Sequence, residues 1–385
     1  MISRRSFLAT LPAAAVSLRS MAAQPAQPRF VYFGVDTSKG IGKGIYRSTF
    51  DPATGTVSPP LLAAETANPS FLAISPARKS PRFLYAVNEV AGTGGTVTSF
   101  TFDPATGALK QLNQVPAGGN GPCYITVDAT GRSAFVANYA GHSLSSFRIL
   151  PDGRLSDLVS HFDCSAPFPC DPHGPNAARQ EGSHFHCAVL SPDSRFLLVN
   201  DLGADTISVY AVQIPSATLT RHQVVKVKPG SGPRHSAFHP HRPWVYSINE
   251  LASSIDRFRL SANGTLTDLQ STVSTLDPGF HGESTAAEVI LSPDGRFLYA
   301  SNRGEDTIAV FSIAAADGSL KFSQRISCGG HTPRHFTLDP TGRWLLCGNQ
   351  RSATVTVFSR DSATGQLTGP MQTVALDSTE YTLFA

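Results

Sequence analysis

Charge is scarce in this chain. Only 15% of its 385 residues are Asp, Glu, Lys or Arg, and the two signs nearly cancel. Of 31 basic residues, Arg4, Arg5 and Arg19 lie in an acid-free leader, and the other 28 face 28 Asp and Glu. No basic field is left to draw nucleic acid or anionic lipid. Beyond residue 24 no run approaches the ~20 consecutive apolar residues of a membrane span. The six cysteines, Cys123, Cys164, Cys170, Cys187, Cys328 and Cys347, include no CxxC pair of the metal-binding kind. Amphipathic patterns of helical length are missing, and so is a glycine-rich phosphate loop between a strand and a helix.

Glycine (32) and proline (28) are plentiful instead, which suits many short strands joined by tight turns. The start is a targeting segment rather than fold. "SRRSFLAT" sets Arg4 and Arg5 before the apolar "FLATLPAAAVSL", and the small residues "SMAA" follow. This is the pattern of a signal peptide over residues 1–23, of the twin-arginine type. A soluble, exported protein spanning 24–385 is expected, periplasmic or secreted. In an oxidising compartment Cys164 and Cys170, close together in a Pro/Gly-rich loop, could pair; the other cysteines read as core.

The remainder repeats. A turn signal recurs seven times: "DPATGTV" at 51, "DPATGAL" at 103, "LPDGRL" at 150, "IPSATL" at 214, "SANGTL" at 261, "AADGSL" at 315 and "DSATGQL" at 361. Alternating β-branched and aromatic segments precede these turns, such as "TVTSFTF" and "TIAVFSI". A second unit, strand–turn–strand ending in Asn, occurs six times, as in "CAVLSPDSRFLLVN" and "VILSPDGRFLYASN". Its copies align at residues 74, 127, 190, 238, 291 and 338, a period of 47–63. Four strands per such period make a β-propeller blade. The fold class is therefore all-β, a seven-bladed β-propeller in one domain. The missing seventh inner strand should come from the C-terminal "STEYTLFA", which closes the first blade and leaves no open sheet edge.

Inner strands line a propeller's channel, so equivalent positions form rings. One ring reads Ser70, Cys123, His186, Arg234, Ala287, Arg334; a second, after the terminal Asn, reads Glu89, Tyr139, Asp201, Glu250, Arg303, Gln350. The six Asn residues (88, 138, 200, 249, 302 and 349) read as structural, satisfying turn backbone. Small residues would suffice on the rings, as Ser70 and Ala287 show. His186, Arg234, Glu250 and Arg303 in one sector of a water-filled mouth therefore mark a candidate site, although Arg234 and Glu250 could simply be an ion pair. His184 and His186, two apart on a strand, share a face and could ligate a metal, but no third ligand has a convincing spacing. His235 and His335 fall one step off the ring and read as packing residues.

At "HFH", "GPRHSAFHP", "INE" and "SNRGEDTIAVF" the chain resembles the propeller lactonases similar to bacterial 6-phosphogluconolactonase, which include a carboxymuconate-lactonising enzyme. The resemblance runs through the whole mature chain and implies lactone chemistry without metal or cofactor. Carried over by motif, the catalytic residues are His186, Arg234, Glu250 and Arg303. Either His186 or Glu250 would be the general base, Glu250 only if burial raises its pKa. The arginines would hold the oxyanion, with Arg334 and His184 at the substrate. The expected partner is a small lactone, and the protein is taken as a monomer. The export signal sits awkwardly with a cytosolic sugar-phosphate substrate. A non-catalytic binding propeller is the alternative; a calcium-dependent lactonase would need an oxygen-rich cage, and these rings are too cationic.

Overall fold

The structure, a computed structural model, describes residues 29–38, 42–76, 81–90, 92, 94–163 and 173–385. The leader at 1–23 and the Cys164–Cys170 pair lie outside the described residues. Among the described residues 29 strands form seven antiparallel sheets arranged as propeller blades. Blades 2 to 7 start with inner strands Phe71–Ile74, Pro122–Val127, Phe185–Leu190, Pro233–Phe238, Thr285–Leu291 and Pro333–Leu338, and each runs outward through four strands. Blade 1 takes its inner strand from the C-terminus, as the count of repeats implied. Thr379–Phe384 pairs antiparallel with Arg29–Val35, Val31 opposite Phe384 and Phe33 opposite Thr382.

Neighbouring blades are joined by one recurring device. The tyrosine hydroxyls of Tyr32, Tyr85, Tyr246 and Tyr299 each donate to the carbonyl of a turn glycine in the next blade: Gly107, Gly153, Gly318 and Gly365. An aromatic ring from the same second strand lies against that glycine. At Gly318 φ is +79°, and an added Cβ would come within 2.5 Å of the Trp244 ring. The glycine of the repeated turn is thus required twice, by conformation and by space. The one turn without glycine, at 214, faces the one second strand that opens without an aromatic; there Ser133 and Ser146 bond the turn carbonyls of Ile214 and Ala217.

Apolar residues fill the spaces between blades. Phe196, Leu198, Ile207 and Val209 of blade 4 pack with Val245, Phe258 and Leu266 of blade 5, and each such fully buried side chain contributes about 1.5–3 kcal/mol. The asparagines have a different task from satisfying their own turns. Four of them, Asn88, Asn138, Asn302 and Asn349, tie the second strand to hydroxyls of the third and to the connector from the preceding blade: Asn302 donates to the Thr275 carbonyl and Thr307, Asn349 to the Cys328 carbonyl and Thr356; Asn200 instead bonds Ser236 and Ser247 of the next blade.

Candidate active site

Six of the seven inner strands carry a β-bulge near their start, and only Phe71–Ile74 pairs in continuous register. Pairing skips from Phe185 to Cys187, from Pro233 to His235 and from Pro333 to His335. A bulge inserts a residue and breaks the two-residue alternation of a strand. It turns His186, Arg234 and Arg334 to the channel mouth and leaves the next residue in the channel as well. In blade 6 the skip spans Ala287 and Glu288, so Glu288 matches His235 and His335.

Glu250 is the hub of the mouth. Its Oε2 lies 3.1 Å from Arg234 Nε and 2.9 Å from Arg303 Nη2, and its Oε1 accepts from Arg179 Nη2 at 2.5 Å. The expected water-filled mouth is instead desolvated here: the Glu250 and Arg234 side chains are each only 3% exposed. Burial opposes ionisation of Glu250, but Arg303, Arg234 and Arg179 outweigh it and hold the carboxylate at about 2. That is opposite to the rise a general base at this position would need. Arg234 donates Nη1 to the Ala287 carbonyl at 2.6 Å, and Arg303 donates Nη2 to the Ala286 carbonyl at 3.1 Å. Burial, then Arg303 and Arg334, bring Arg234 down to about 10.

His186 stands beside this cluster, buried. Its ring lies 5.4 Å from Tyr139 and 5.1 Å from His235, both edge-on, and its Nδ1 is 4.0 Å from the Cys123 thiol. Burial first, and Arg234 and His235 next, push its pKa well below the usual histidine range, so the imidazole stays neutral. His184 does not share its surroundings. It precedes the strand, stacks on Tyr139 at 4.2 Å, and has both ring nitrogens engaged, by the Tyr139 carbonyl and by Glu181 at 3.1 Å each. The two histidines thus grip Tyr139, one face-on and one edge-on.

On the far side Arg334 approaches Glu380 at 3.5 Å and Glu89 at 3.9 Å. Gln350 donates to Glu380 at 2.7 Å. Burial lifts Glu380 to about 7, with Glu89 and Asp36 adding to the rise against Arg334. Glu380 belongs to the C-terminal strand and completes the ring as its seventh member. Beside Arg303 and Gln350 opens a cleft of about 600 Å³, with Ser284, His331 and Arg351 on its walls. It is large enough for a monosaccharide-sized body.

Beneath the mouth a second ring plugs the channel: Phe71, Tyr124, Cys187, His235, Glu288, His335 and Tyr381. Phe71 lies 4.0 Å from Tyr124 and 3.9 Å from Tyr381. Glu288 Oε2 bridges His235 Nδ1 at 3.0 Å and His335 Nε2 at 3.3 Å. His235 and His335 are packed, buried against Phe71, but they stand in the channel and not off the ring as strand alternation implied; the bulge is the reason. Among the described residues no three His, Cys, Asp or Glu side chains are grouped to hold a metal ion.

Sequence reasoning missed three residues. Glu288 and Glu380 needed the bulge and the ring closure, and applying the repeat to "STEYTLFA" would have found Glu380. Arg179 sits in the connector between blades 3 and 4, outside every repeat, and carried no signal.

A family model described as "Lactonase, 7-bladed beta-propeller" matches residues 30–384. The chain belongs to this lactonase family, and with it to the hydrolases. A protein named 6-phosphogluconolactonase from Bacillus subtilis is 33% identical over 79% of this chain and 83% of its own length. One of the same name from Formosa agariphila is 34% identical over 80% and 85%. A solved structure of Pseudomonas aeruginosa, described as a periplasmic gluconolactonase, superposes with a TM-score of 0.84 at 34% identity and covers 93% of this chain and 99% of that one. These relatives favour an enzyme over the non-catalytic binding propeller.

Proposed function

We propose that the protein hydrolyses a sugar-derived lactone, and lactones bearing an anionic group in particular, without metal, after export from the cytosol. The observation that carries this reading is the buried Glu250–Arg234–Arg303 cluster, with the neutral His186 beside it and the cleft opening at Arg303. Lactone opening builds negative charge on the carbonyl oxygen, and buried guanidiniums stabilise such charge at the moment it forms. The arginines fill the electrophile's role that a metal takes in other hydrolases.

His186 accepts a proton from water as the water oxygen bonds to the carbonyl carbon. The resulting oxyanion sits against Arg234 and Arg303. Collapse of the intermediate expels the ring oxygen, which takes the proton back from His186, and the hydroxy acid releases its carboxyl proton to solvent and leaves as its carboxylate. Glu250 keeps three guanidiniums within one small volume, a positioning task that suits its low pKa. The sugar body occupies the cleft, and Arg334 extends the positive surface. His184 holds Tyr139, and through it Arg179, at the rim. Export is supported by the leader and by the relative described as periplasmic.

The test is a panel of aldonolactones followed by pH-stat against the spontaneous rate, with and without chelator. Chelator-insensitive turnover that falls ~10²–10⁴-fold in His186→Gln, the scale of a lost general base, is expected. Turnover abolished by chelator, or unchanged in His186→Gln, overturns the mechanism.

A further inference from the structure

Arg179 does not belong to the ring architecture. Blades 4 and 5 are joined by the short connector 227–232, whereas residues 163–184 join blades 3 and 4. The described end of this longer connector is pinned. Asn176 accepts from the amides of Arg179 and Gln180 at 3.0 and 2.7 Å, and its own amide donates to Gln180 Oε1. The buried Gln180 donates to the Leu202 carbonyl at 2.9 Å, and Gly174 donates to Gly203. Arg179 therefore leaves from a fixed turn and reaches over the mouth to Glu250.

Its situation differs from that of the other two guanidiniums on Glu250. The Arg179 side chain is 38% exposed, against 3% for Arg234 and 14% for Arg303. Only Nη2 is engaged, by Glu250 Oε1 and, at 3.5 Å, by the Tyr139 hydroxyl. Nε and Nη1 have no partner among the described residues. Glu250 Oε2 is held by Arg234 and Arg303 independently of Arg179. One edge of a planar guanidinium thus lies open beside the site, on the solvent side of the reacting groups. This is the geometry that binds a carboxylate or phosphate in two-point fashion.

Building on the lactone reading above, we propose that Arg179 is the specificity-determining residue of this site: it receives a carboxylate or phosphate borne by the lactone away from the ester group. Arg234 and Arg303 serve the reacting carbonyl, and Arg179 sorts lactones by charge.

The test compares wild type, Arg179→Gln and Arg179→Lys on glucono-1,5-lactone, a glucarolactone and 6-phosphoglucono-1,5-lactone. Calorimetric binding of gluconate, glucarate and 6-phosphogluconate runs beside it. A charge-assisted pair of this kind is worth roughly tenfold to a hundredfold. In Arg179→Gln the ratio of kcat/KM for a charged lactone over the neutral one should fall by that factor, mainly through KM. Arg179→Lys should restore part of it, since the charge returns without the fork. A fall for the phosphate alone, or for the carboxylates alone, supports the proposal and says which anion is read. An equal loss on neutral and charged ligands, or no change in the ratio, overturns it. If wild type opens none of the lactones, the binding arm decides. A selective loss of 6-phosphogluconate or glucarate affinity in Arg179→Gln keeps the anion site while the hydrolase reading fails. No selective loss, or no binding at all, ends the proposal.

Discussion

Replacing Glu250 by Gln removes one negative charge from beneath three guanidiniums while keeping the volume. The folded carboxyl is held at about 2 against an ordinary 4.5. A displacement of that size corresponds to about 3 kcal/mol of stability at neutral pH. Solvent screening takes little from it, because the side chain is 3% exposed. The sign follows from a depressed acid: the contribution is fully present above pH 4.5 and drains away as pH falls from 4.5 towards 2. Glu380, raised to about 7, acts in the opposite direction, with stability present below 4.5 and lost as pH rises to 7. It is common to both proteins and cancels in their difference. Urea unfolding of wild type and Glu250→Gln, from pH 7 down to 2.5, should show curves about 3 kcal/mol apart at neutral pH that converge in acid. Equal stability at pH 7, or a gap as large at pH 2.5 as at pH 7, would refute the view that Glu250 is ionised by its arginines.

Arg234→Met should lower both kcat and kcat/KM for lactone opening by ~10²–10³, the scale for one lost oxyanion donor; full activity would remove Arg234 from the chemistry. Because Arg234 is buried and not at a water-filled rim, the same variant should also melt lower, and differential scanning calorimetry checks that. Deleting residues 379–385 strips blade 1 of its inner strand and leaves Arg334 without Glu380, so light scattering should report aggregation; a truncation that melts like the whole chain would refute ring closure. Replacing Arg4 and Arg5 by Lys should leave unprocessed precursor in the cytoplasm, and normal export on fractionation would show the leader misread.

Most of the fold was legible because a propeller writes itself once per blade. The turn of the "DPATG" kind recurs since six of the seven blades need the same glycine under a neighbour's aromatic ring, and the six inner-strand copies against seven outer hairpins already required the C-terminus to return. The candidate site was half legible for the same reason. His186, Arg234, Glu250 and Arg303 stand out only against a repeating background, and the structure brings the last three into contact around Glu250. What the repeat could not convey is depth and direction. A bulge, invisible in a period of two, carried His235, Glu288 and His335 into the channel. Three cations brought together against the cost of burial, an arrangement that is no property of the sequence, set the Glu250 carboxyl low, opposite to what a general base there would need. Arg179 arrives from a connector that obeys no repeat, so only the folded chain could bring it to Glu250. Local patterns determine strands, turns and their number because those depend on neighbours in the chain. Ionisation and proximity across the channel depend on neighbours in space, and those the tertiary structure alone decided.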